Sequence, residues 1–176
     1  MKKKSFFLVV NAAVLFLLGC GRAEPVYKYT LNDLFPKSYS DSLDKDNTHD
    51  VFDFSLCQDT RTAWDSILVI NPYINSSLVG SLPFKNYAAV KGVIDDHYLD
   101  EHTCTILFVA QSKYVGYGVI SRNALDFLTM NIGSSKPFTW ITRRDCDKLH
   151  LKKESLNNNN FYSLQRKVVA APSRKQ

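Results

Sequence analysis

Four consecutive aliphatic residues, Ile67-Leu68-Val69-Ile70, stand between Trp64-Asp65-Ser66 and Asn71-Pro72-Tyr73, and no other stretch limits the fold as much. The run is short, rich in β-branched residues and closed by Asn-Pro, which predicts a strand buried on both faces. Two more strands are predicted at Ile106–Val109 and Val115–Ile120, joined by a hairpin at Gln111-Ser112-Lys113-Tyr114. Gly116 and Gly118 alternate with Val115, Tyr117 and Val119. Glycines on one strand face mark a place where another backbone or an aromatic ring lies close. Phe138, Trp140, Cys146, Leu149 and Leu151 supply one or two closing strands, with Cys104 and Cys146 each starting a strand.

Helical segments are expected between these strands. Thr30 caps a short one ended by Pro36, with Asp33 as its capping-box partner. Asn75 and Ser76 start a second, and Phe84 to Ile94 forms a third or a helix-to-strand passage across Gly92. Asn123 caps a fourth candidate, Asn123 to Met130. The expected architecture is a single small α+β domain, an antiparallel sheet of about four or five strands with two or three helices on one face.

The N-terminus carries an address. Lys2, Lys3 and Lys4 precede an apolar run from Phe6 to Leu18, the pattern of a secretory signal peptide. The run is short of the roughly 20 apolar residues that cross a bilayer, and Asn11 interrupts it. Leu17-Leu18-Gly19-Cys20 resembles the lipobox of bacterial lipoproteins. The resemblance implies that Cys20 receives a diacylglycerol, that cleavage precedes it and that its new amine is acylated with a fatty acid such as palmitate. Several acyl chains hold a protein durably where one holds it only reversibly. Gly21 stands where Asp would resemble an inner-membrane retention signal, so the resemblance favours the outer membrane in a diderm cell. Two other readings stay open: ordinary cleavage after Gly21-Arg22-Ala23, and a retained anchor.

A second resemblance runs over residues 56–151. Trp64-Asp65, the apolar strand and Pro72-Tyr73, followed by Thr105–Val109, Tyr114–Ile120, Arg122 with Asp126-Phe127, and Phe138–Leu151, are similar in pattern to small uncharacterised bacterial lipoproteins. That group brings no established activity with it.

The chain then divides into residues 1–19, the signal peptide; 20–51, a lipidated N-terminus and tether; 52–151, the globular domain; and 152–176, a polar basic tail. Asn157–Asn160 and Lys167–Gln176 read as disordered from their composition. Signal removal leaves 157 residues, enough for one domain with a real core. It also leaves 19 basic residues against 17 acidic ones, and from Cys20 to Leu151 there are 13 basic and 16 acidic. The pI near 9 therefore reflects the ends of the chain, and a nucleic-acid partner, which needs clustered Lys and Arg on the folded part, is set aside.

With Cys20 given to lipid, Cys57, Cys104 and Cys146 allow at most one internal disulfide. Cys104–Cys146 is the expected pair, with Cys57 free or buried. The segment Asp95–His102 is the one acidic-histidine cluster, and Asp96, His97, Asp100 and His102 are its candidate metal ligands. A zinc site needs about four converging ligands, whereas histidines five apart on a helix diverge. A charged turn is the plainer reading. No G-x-S-x-G elbow or phosphate loop is present. No cofactor is expected beyond the lipid.

Aromatic residues number 22. Tyr and Trp beside Arg are favoured in protein-binding patches, which makes Tyr114, Tyr117, Arg143 and Arg144 candidates. The expected function is a non-enzymatic, lipid-anchored binding or structural module of the cell envelope, such as an immunity or inhibitor protein with an envelope protein as partner. The alternative is a periplasm-facing enzyme or metal-dependent ligand binder using Asp95–His102.

Overall fold

The computed structural model describes residues 25–34, 51–53, 56, 62–131, 136–157 and 159–167. Two sheets and a helical layer stack in three layers. The first sheet holds β1 (Tyr27–Tyr29), β3 (Ser66–Ile70), β4 (Thr103–Ala110), β5 (Lys113–Ser121) and β7 (Phe138–Thr142), in the order β1-β5-β4-β3-β7. The second holds β2 (Val51–Asp53), β6 (Leu125–Asp126), β8 (Leu149–Leu156) and β9 (Asn159–Arg166), in the order β2-β8-β9-β6. The α+β reading holds, but the first sheet is mixed, because β1 joins β5 in parallel. The second sheet was not anticipated.

The central strands explain the layering. In β3, Ile67 and Val69 face one way and Leu68 and Ile70 the other, and all four are buried. The first pair joins Ile106, Phe108 and Ile141 in a core shared with Leu149, Leu151, Tyr162 and Leu164 of the second sheet. The second pair joins Leu107, Val109 and Tyr114 beneath Val79 of α2 (Ser76–Gly80) and Val90 and Ile94 of α3 (Ala88–His97). A strand with apolar neighbours on both faces reads as a continuous aliphatic run.

The helices begin as their residues suggest. Asn75 accepts from the amides of Ser77 and Leu78 at 3.1 and 3.3 Å, capping α2. Thr30 donates to Asp33 through its amide and its hydroxyl, at 2.7 and 2.8 Å, opening α1 (Leu31–Leu34). The helix expected at Asn123–Met130 does not form. Its place is taken by a turn, β6 and a 3-10 helix, Leu128–Asn131. There Asp126 is the cap, its Oδ1 accepting from the Leu128 amide at 2.8 Å.

A β-bulge decides which way β5 looks. Phe108 pairs with Gly116 but Val109 pairs with Tyr114, so Val115 is the extra residue. Gly116 then lies under β1. A Cβ there would meet the Tyr29 ring at 2.8 Å and the Tyr27 carbonyl at 3.0 Å, which is the close approach that its glycine implied.

Two segment boundaries need correction. Residues 20–51 were expected as a tether, yet Tyr29 and Leu34 are buried in the inter-sheet core, so Tyr27–Leu34 belongs to the folded unit. Residues 152–176 were expected as a polar, disordered basic tail, yet up to Arg166 they belong to β8 and β9, which form an eight-pair hairpin through Asn157, whose φ is 52°, while 168–176 lie outside the described residues. Tyr162 and Leu164 are buried, and Lys153 is buried opposite Tyr162.

Candidate functional site

The start of β4, the end of β5 and the tip of the β8–β9 hairpin meet at one end of the molecule. They enclose a cleft of about 310 Å³. Glu101, His102, Arg122, Asn123, Asn157 and Asn159 form polar walls, with Leu156 and Phe161 as its apolar part. Arg122 enters from the turn after β5, where its amide donates to the His102 carbonyl at 2.9 Å. Its guanidinium donates from Nε and Nη2 to Asp126 Oδ2 at 3.2 and 2.9 Å, and from Nη1 to the Glu101 carbonyl at 3.0 Å. Donating to the Asp126 carboxylate pushes the Arg122 pKa further up. With its charge already matched, Arg122 is a braced wall rather than a free anion clamp. The polar walls and the apolar side together suit a polar molecule or a protruding peptide loop.

Cys104 lies behind this cleft, fully buried and free. The expected Cys104–Cys146 pair is therefore wrong. Cys146 is disulfide-bonded, to a cysteine outside the described residues. It sits in the 3-10 helix Arg143–Lys148 and does not begin a strand, so the assumption that brought the two together fails. Burial pushes the Cys104 thiol far up, and the Asp126 carboxylate adds to it. A thiol held neutral is a poor nucleophile. Cys104 should resist alkylation in the native protein and react once the protein is unfolded, as mass mapping of labelled peptides would show. Rapid native labelling would mean that this end opens readily.

The candidate metal ligands are not brought together. Asp96 is exposed on α3. His97 and Asp100 line a separate small cleft with Ile70, Ile94 and Thr103, and His102 lines the cleft beside Arg122. Asp100 Oδ1 accepts from the His102 amide at 2.9 Å, closing the turn. Among the described residues, no three His, Cys, Asp or Glu side chains are grouped to hold a metal.

The proposed protein-binding residues separate as well. Tyr114 is 1 % exposed and cannot offer its ring to a partner. The bulge turns it under the helices, Asn86 holds its backbone N–H and C=O at 2.9 and 2.8 Å, and burial pushes its hydroxyl up to about 12. Tyr117 is half-buried against the helix-side core. Arg143 lies 5.0 Å over the Trp64 ring and donates to the Trp64 carbonyl at 3.3 Å. Arg144 is exposed. Cys20 lies outside the described residues.

No family model, curated protein or solved structure matches this chain. The cleft was missed in the sequence because half of it comes from the hairpin tip, whose Leu156 and Asn157 read as tail. The spacing of Arg122 and Asp126 was the available signal, since a basic and an acidic side chain four apart often pair.

Proposed function

We propose that the protein is a lipid-anchored module of the bacterial cell envelope that binds a partner protein. The observation that carries this reading is the lipobox-like Leu17-Leu18-Gly19-Cys20 behind a basic and apolar leader. The fold supports it in one respect. Strand β1 begins at Tyr27, so a lipid on Cys20 holds the domain within roughly 25 Å of the bilayer, the extended reach of the intervening chain. The polar cleft walled by Arg122, Asn157 and Asn159 is the recognition face, and an immunity or inhibitor role is the specific version of this reading.

Comparing wild type with Cys20→Ser in cells tests the anchor. The wild type should carry acyl label and sediment with membranes, and the variant should lose the label and become soluble. A wild type that begins at Glu24 without an acyl group would make it a freely diffusing binder. A second reading, a small polar ligand, is favoured by the size of the cleft, about 310 Å³, and by Glu101 and His102 in its wall. A ligand of that kind would be displaced by Phe161→Ala without any change in membrane attachment.

A further inference from the structure

We infer that the end of the domain where the N-terminal segment enters is a contact surface for anionic phospholipid headgroups, so that the cleft points away from the bilayer. The inference rests on the acyl anchor proposed above. Strand register places the elements of this end. The β4–β5 turn lies here, and the Lys85 amide donates to the Ser112 carbonyl at 2.8 Å within it. Ser66 pairs with Thr142, and the Arg143 amide donates to the Asp65 carbonyl at 3.0 Å. The 3-10 helix after β7 leads directly into β8, whose start faces the end of β9, the Lys167 amide donating to the Lys148 carbonyl at 2.7 Å.

Charge is divided between the two ends. Among the described residues, the entry end gathers Lys85, Lys113, Arg143, Arg144, Lys148, Arg166 and Lys167 against Asp65, Asp145 and Asp147. Asp145 stands 3.8 Å from both Lys148 and Arg166, whose side chains remain 63 % and 58 % exposed. Lys85 and Arg144 are exposed and meet no carboxylate among the described residues. Among the described residues, the cleft end carries Asp96, Asp100, Glu101 and Asp126, with Arg122 and Lys136 as cations.

Chain length selects the occupant. Seven residue steps join Cys20 to Tyr27, a reach of roughly 25 Å at most, while nine-residue β5 alone spans about 30 Å. β1 runs parallel to β5, so its preceding chain leaves at the basic end. An acylated Cys20 therefore brings this end towards the headgroups. Tyr27, 38 % exposed at the same place, is the residue type that settles at a membrane–water interface. Juxtamembrane Lys and Arg are drawn to anionic lipid over about a Debye length.

The test uses the secreted Cys20→Ser protein, so that acylation does not contribute. It should sediment with vesicles of phosphatidylcholine and phosphatidylglycerol, not with phosphatidylcholine alone, and salt should release it. Lys85→Glu and Arg144→Glu should each lower the partition coefficient by about fivefold or more. The combination with Lys148→Glu and Arg166→Glu should abolish binding, while Lys136→Glu at the other end should leave it unchanged. Equal binding to both vesicles, no binding to either, or a loss produced only by changing Arg174 and Lys175 overturns the inference. Thermal melts confirm that the variants fold. Acyl label on the wild type without vesicle binding by the variant leaves the anchor standing and removes this surface; the reverse result removes the anchor alone.

Discussion

Replacing Phe108 by alanine is expected to destabilise the domain by about 3–5 kcal/mol, the usual cost of emptying a large aromatic site. Phe108 is fully buried on β4 between the two sheets. Its ring stacks on Tyr29 at 4.0 Å and meets Trp64 edge-on at 6.2 Å. Those neighbours come from β1 and from the approach to β3, so the hole would open where three distant pieces of chain converge. In a chain of this size the melting temperature should fall by about 10 °C or more, measurable by circular dichroism. Phe108→Leu keeps much of the volume and should lose less than half as much. If the alanine variant melts within a degree or two of wild type, the aromatic trio does not hold the sheets together.

Removing Asp126 should have a comparable effect by a different route. Its carboxylate is 9 % exposed, accepts twice from Arg122 and takes the Leu128 amide. Asp126→Ala leaves a guanidinium without its counter-charge and an amide without its acceptor. Breaking a buried pair from one side costs about 3–5 kcal/mol, and the partial exposure of Arg122, 34 %, places this case near about 3 kcal/mol. The double variant Arg122→Ala/Asp126→Ala should lose less than the two singles added together, because no charge is stranded. A double-mutant cycle in denaturant reads that coupling directly. Additive losses would show that the two side chains act independently and that the cleft wall is not braced by their pairing.

The legible parts of this fold were those whose surroundings are uniform. Ile67–Ile70 announces itself because it has apolar layers on both faces, and Gly116 because a ring has to lie on it. β8 and β9 were illegible for the opposite reason. Their outer face is wet, so Lys152 and Glu154 alternate with buried positions, and the Asn-rich turn between them has the composition of a disordered segment. Tyr27–Tyr29 was hidden because its partner, β5, lies far away in sequence, and pairing at that distance leaves no local pattern. The site suffered from both effects. Its histidine came from a segment already under suspicion, but its other wall came from the supposed tail. Tyr114 was misplaced because it was read as part of the hairpin turn, whereas it lies within β5 and packs into the helix-side core.

The parallel pairing of β1 with β5 has a mechanical side. Tyr27, Lys28 and Tyr29 are registered against Gly116, Tyr117 and Gly118. A pull on the chain ahead of Tyr27 runs along the strand axis, so the hydrogen bonds of this ladder are loaded together, in shear. The N-terminal strand is thus built to carry tension, with the Tyr29 ring seated over Gly116 as a catch that must lift before the strand can slide.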